Sequence, residues 1–197
     1  ILNTISANYG NMFTVAFSSL FLKFIPLLPS QILLNNFLSD VPMVAVSTDN
    51  VDSDMLHKPK KWNIKFIKKF MYFFGVISSV FDLLLIISLI AVIGVQEGAF
   101  RTAWFLFSVF TEITVVFIIR TKGFFYNSMP SKFLMLTTAI VAVVSIGIIF
   151  MPIGATLFKF EPLPLSTLAL IAGIVALYLL SVEVAKHYFY GKMHAHM

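Results

Sequence analysis

Apolar windows about one bilayer long recur along this chain, and they limit what it can fold into more than any motif does. A helix needs roughly 20 mostly apolar residues to cross a hydrocarbon core of about 30 Å. Such windows fall at about 8–28, 30–46, 66–95, 103–119, 133–151 and 165–184. Hydrophobic residues make up 59% of the 197 and charged residues 12%, against roughly a half and a quarter in a soluble domain. The expected fold is therefore all-α, a polytopic membrane helical bundle of about six transmembrane helices. Cysteine is absent, which excludes disulfides and thiolate metal sites. The opening ILNTISANYG has no basic stretch before an apolar core, so it does not read as a secretory signal. A first residue of Ile1 rather than Met suggests a fragment of a longer polypeptide.

The placement of basic residues orients these spans. Lys58, Lys60, Lys61, Lys65, Lys68 and Lys69 crowd the loop 47–69. Arg120, Lys122 and Lys132 follow the fourth window, and Lys186 and Lys192 follow the sixth. Only Lys23, Arg101 and Lys159 fall on the other face, so the bias predicts a multi-pass protein of the plasma membrane with both ends cytoplasmic. In a chain this apolar, a lysine-rich loop is read against the anionic inner leaflet and not as a nucleic-acid patch. No internal repeat is evident, so an inverted-repeat transporter gains no support.

Polar side chains inside the windows are the candidates for function. Asn35, Asn36, Ser39 and Asp40 interrupt PLLPSQILLNNFLSDVPMVAV, and Asn8 and Asn11 lie one window upstream. A carboxylate at the middle of a membrane costs about 2.5–3.5 kcal/mol even on lenient insertion scales. Helical spacing puts Asn8 beside Asn11, and Asn36 beside both Ser39 and Asp40. The break at Pro26 to Pro29 turns the chain back, so the two polar faces can meet. Amide, hydroxyl and carboxylate oxygens are hard ligands that suit magnesium, calcium or an alkali ion. Pro42 adds the prospect of a freed backbone carbonyl. The same Asn and Ser residues also serve as interhelical hydrogen-bond partners in many membrane proteins, and that reading stays open.

Three further acids fall in or beside the windows. Asp82 is expected to make a structural pairing. Glu112 either lines the Asp40 cavity or holds two helices together. Glu183 is three residues from Lys186, the spacing of an interfacial ion pair. His194 and His196 lie on the tail and are read as solvated. Nucleotide-binding loops, HExxH helices and GxSxG elbows are absent.

The succession SANYGNMF, PLLPSQILLNNFLSD, VSTDNVD, KPKKW, FGVISSVFD and EPLPLS resembles the carboxy-terminal membrane half of magnesium-transporting P-type ATPases. The resemblance runs essentially from end to end. It implies the fifth to tenth spans of a pump whose amino-terminal and catalytic portions bind and hydrolyse ATP. The DKTGT phosphorylation motif is not in this chain, so the chain alone is expected not to hydrolyse ATP. The resemblance also implies that Asp40 and Asn36 coordinate the transported Mg2+, with Asn8, Asn11 and Ser39 completing the shell. Asn35 and Glu112 are further candidates. Three positions depart from the family pattern: Lys23, Val76 where a Pro is expected, and Glu112 where Gln is more usual. The alternatives are a pump for Ca2+ or a monovalent ion, a stand-alone six-span channel or permease, and a non-transporting assembly subunit.

Overall fold

A computed structural model describes residues 2–50, 63–121 and 123–194. Seven α-helices account for most of them, and no strand occurs among the described residues. They are α1 (Leu2–Ser18), α2 (Pro29–Ala45), α3 (Ile64–Ile87), α4 (Glu97–Ile119), α5 (Lys132–Phe150), α6 (Pro152–Leu157) and α7 (Leu165–His194). Lys58, Lys60, Lys61 and the rest of 51–62 lie outside the described residues, as do Lys122 and His196.

The boundaries follow local chemistry. Pro29 opens α2, where its missing N–H costs nothing, and Gln31 Oε1 reaches back to accept from Leu28 N at 3.0 Å. Asn63 and Ser131 cap α3 and α5 by accepting from the backbone N–H groups of Phe66 and Leu134. A π-helical turn, Ser88–Ile93, extends α3, and Gly94 then ends it at φ 68°, in the left-handed region glycine tolerates. Val76 leaves α3 unbroken, as expected without a proline there.

Four helical segments are long and apolar enough to cross a membrane: Ile64–Ala91, Glu97–Ile119, Lys132–Phe150 and Leu165–Gly191. Helices α1 and α2 have 17 residues each, about 26 Å at 1.5 Å per residue. The first expected window ran to residue 28, but the helix stops at Ser18. From there Phe21, Leu22 and Lys23 lead through non-helical backbone to Pro26. Proline disfavours helical backbone in the residue before it, and the chain uses this stretch to turn back into α2.

Helix α4 is the axis of the bundle. It contacts α1, α2, α3, α5 and α7, and 78% of its most apolar stretch is buried. Trp104, Phe105, Leu106, Phe107 and Ile113 form the main core with Leu85 and Leu89 of α3 and Ile171 and Ile174 of α7. A second, aromatic cluster of Phe70, Phe74, Tyr178 and Phe189 closes the lower part of α3 against α7. Helices α1 and α3 run side by side at close range, because Gly75 leaves room for the ring of Tyr9. The outer faces of α1 and α2 are open, exposing Met12, Phe13 and Phe17 on one and Leu33, Phe37 and Val44 on the other.

The basic end of the bundle is tied together by buried charges. Arg120 and Asp49 pair at 2.7 Å with side chains 2% and 6% exposed. Asp49 also accepts from Ser131 N at 2.7 Å, and Asn50 Nδ2 donates to the Met129 carbonyl. The segment that follows α2 is thereby bound to the loop between α4 and α5. From the other side, Lys186 of α7 donates to the carbonyls of Ile118 and Gly123 and pairs with Glu183 at 3.0 Å. A buried ammonium thus caps the carbonyl end of α4.

Candidate functional site

The residues facing the inside of the bundle from α4 recur every four positions: Trp104, Ser108 and Glu112. Such spacing stacks side chains on one helix face. Glu112 is 6% exposed and sits where α1, α2 and α4 meet. Its Oε1 accepts from Asn11 Nδ2 of α1 at 2.5 Å, from Asn35 Nδ2 of α2 at 3.1 Å and from Ser108 Oγ at 3.3 Å. Asn11 also donates to Ser108 at 2.9 Å. Ser39, one turn beyond Asn35, is buried against the same carboxylate and gives its hydroxyl to the Asn36 carbonyl at 3.2 Å.

Donors from three helices therefore meet on one carboxylate oxygen, the arrangement that solvates a charge where water is excluded. The Asn35 Oδ1, buried, has no partner among the described residues. Pro42 lies inside α2 and has no N–H, so the Leu38 carbonyl, beside Ser39, lacks its helical donor. The cluster thus offers one carboxylate, two amides and two hydroxyls. Among the described residues no three His, Asp or Glu converge, so any cation taken here meets mostly neutral oxygens.

The expected ligands divide between two faces. Asn11, Asn35, Ser39 and Glu112 come together. Asn8 and Asn36 are half-buried, and Asp40 is exposed on the open side of α2, next to Phe37 and Val44 in the helical register. Asn36 and Asp40 share a face, as the spacing required, but that face points away from Glu112. Ser108 was not singled out from the sequence, although its four-residue spacing from Glu112 was the signal that could have found it. Asp82 makes no ion pair among the described residues. It is 1% exposed and lies between Thr14 of α1 and Trp104 of α4.

Residues 24–188 match the family described as cation transporting ATPase, C-terminus. The chain belongs to that family. This cation-transporting ATPase segment is 36% identical over 191 residues to the magnesium-transporting ATPase, P-type 1, of Escherichia coli K12. It is 35% and 32% identical to two proteins of the same name from Salmonella typhimurium LT2. Each alignment covers 94% of the chain but 21% of the relative, so the segment spans about a fifth of the length of the proteins it matches. A buried carboxylate ringed by amides and hydroxyls has the hard-oxygen chemistry that a cation of this kind can take.

Proposed function

We propose that this chain is the transport half of a P-type ATPase that moves a divalent cation, Mg2+, across the plasma membrane. The energy comes from ATP hydrolysed by parts of the pump outside this chain, which alone has no phosphorylation motif and no hydrolytic activity. The observation that carries the reading is the meeting of Asn11, Asn35 and Ser108 on Glu112, with Ser39 beside them. Magnesium demands six oxygens in near-octahedral order and gives up water reluctantly. A shell of one or two carboxylates with several neutral oxygens holds it partly hydrated.

In this reading α2 turns when the ion binds, so that Asp40 and Asn36 coordinate it together with Asn8, Asn11 and Ser39, and Asn35 and Glu112 complete the oxygen set. The open side of α2 that carries Asp40 is where the remaining helices of the pump pack, so Asp40 is enclosed in the whole protein. Both chain ends and the basic end of the bundle face the cytoplasm. There each Lys near an anionic leaflet contributes about 1 kcal/mol of attraction.

The test is Asp40→Asn in the full-length pump, reading Mg2+-stimulated ATP hydrolysis and Mg2+ uptake into vesicles. Both are expected to fall to background while the protein is still made and inserted. Normal Mg2+ activation in this variant would remove Asp40 from the site. Stimulation by Ca2+ or a monovalent ion in place of Mg2+ would overturn the choice of cargo.

A further inference from the structure

Asp82 belongs to none of the groups assigned to the cation. Trp104 Nε1 donates to its Oδ1 at 3.4 Å, and its Oδ2 lies 2.9 Å from Thr14 Oγ1. The titratable groups facing it are Glu112 from α4 and Tyr178 from α7, and neither brings positive charge. No ion pair to Asp82 forms among the described residues.

The hydrogen count around Thr14 decides what Asp82 holds. Thr14 Oγ1 is also 2.9 Å from the Gly10 carbonyl, which can only accept. One hydroxyl has one proton, so it cannot donate fully to both oxygens. With a proton on Asp82 Oδ2, every donor has its own acceptor. Asp82 donates to Thr14, Thr14 to Gly10, and Trp104 to Oδ1. Without that proton a carboxylate is buried in the bundle with no cation beside it, a costly arrangement. A metal does not fit the place, because the indole N–H is a donor and not a ligand.

We propose that Asp82 is a proton site distinct from the cation cluster, loaded and emptied in step with cation binding through α1; this rests on the reading of the chain as the transport half of a pump. Asn11 and Thr14 are three residues apart on one face of α1. Any shift of α1 that takes Asn11 from Glu112 also takes Thr14 from Asp82. The two groups share no hydrogen-bond partner: Thr14 and Trp104 hold Asp82, and Asn11, Asn35 and Ser108 hold Glu112. When Thr14 withdraws, water entering from one face takes the Asp82 proton, giving a carboxylate and hydronium on that face. When α1 returns, hydronium from the opposite face gives a proton to Oδ2, leaving water, and restores the chain of bonds. Cation and proton occupancy are then linked reciprocally.

The test uses the full-length pump in sealed vesicles that carry a pH-sensitive dye in the lumen. Wild type is expected to show an ATP-driven lumenal pH change that a protonophore abolishes. In Asp82→Asn the amide reproduces both hydrogen bonds without a titratable proton. The pH signal per ATP hydrolysed should fall at least tenfold, to background. An equal signal per ATP in wild type and variant overturns the proposal. So does the absence of any signal in a wild type whose hydrolysis Mg2+ stimulates. Should Mg2+ fail to stimulate the wild type at all, the assignment of function fails instead, and the infrared spectrum then judges Asp82. The resting protein should show the carbonyl stretch of a protonated carboxyl group, displaced by Thr14→Val. A spectrum without such a band, or with one indifferent to Thr14→Val, also overturns the proposal, and this arm holds even if Asp82→Asn does not fold.

Discussion

Asp49→Ala should loosen the loop between α4 and α5 far more than the loss of one exposed ion pair would. The Arg120–Asp49 pair is almost wholly buried, and Asp49 also satisfies the N–H of Ser131. Removing the carboxylate leaves a buried guanidinium with only the neutral hydroxyl and carbonyl of Ser128 as partners and orphans a backbone donor. Breaking a buried pair from one side costs about 3–5 kcal/mol. At tenfold per ~1.4 kcal/mol, that raises the local opening constant roughly 100- to 4,000-fold. Amide hydrogen exchange of the full-length pump, read by mass spectrometry on peptides covering 120–131, measures this opening directly. The double variant Asp49→Ala with Arg120→Met should recover much of the loss, because no buried charge is then left unpaired. Asn50→Ala removes a single exposed bond and serves as the control. An increase below about fivefold, the ~1 kcal/mol ceiling of a solvated pair, would refute the argument that burial makes this contact strong.

Two further variants probe the same framework. Lys186→Met deprives the Ile118 and Gly123 carbonyls of their donor and leaves Glu183 with only the Phe125 N–H and His187 beside it. A loss of about 3 kcal/mol should lower the unfolding midpoint of the membrane part by roughly 6–12 °C, and an unmoved midpoint would contradict the capping role. Lys159 is exposed and sits at φ 55°, a left-handed conformation that costs a non-glycine residue about 1–2 kcal/mol. After the greater flexibility of unfolded glycine is subtracted, Lys159→Gly should raise the midpoint by about 1–2 °C, and a fall would show that the lysine side chain matters more than its backbone.

Much of this bundle could be read from the sequence, and what could not be read has a physical cause. The long apolar stretches marked α3, α4, α5 and α7 because hydropathy and length need no knowledge of neighbours. Prolines 26 and 29 marked the turn before α2. Glu112 stood out as an acid within an apolar window, and the i, i+3 pairing of Glu183 with Lys186 is present as the spacing required. Which face of α2 packs inward was not legible. Asn35 and Asn36 are adjacent in sequence and lie about 100° apart around the helix, so one reaches Glu112 and the other turns aside with Asp40. Composition could not choose between them, because the choice is made by the helices α4 and α5 that pack against α2. The axial place of α4 was hidden for the same reason. Its apolar content is no higher than that of α5 or α7, and its burial follows from having five neighbours. Asp82 was read as a paired charge because its actual partners, Thr14 and Trp104, are 68 and 22 residues away and carry no charge.

The order of Glu112's partners along the chain bears on how this protein is made. Asn11, Asn35 and Ser108 all precede it, so each has left the ribosome before the acid does. Chains emerge from the amino terminus, and early segments can begin to associate while later ones are still being synthesised. Helix α4 can therefore enter the bilayer with every hydrogen-bond donor to its carboxylate already waiting, before α5 or α7 exists. An order that placed those amides downstream would leave an acid facing lipid during synthesis, a state that invites retention outside the membrane or degradation. Insertion of nested truncations should accordingly become efficient once α4 is complete, and deleting the amides of α1 and α2 should delay it.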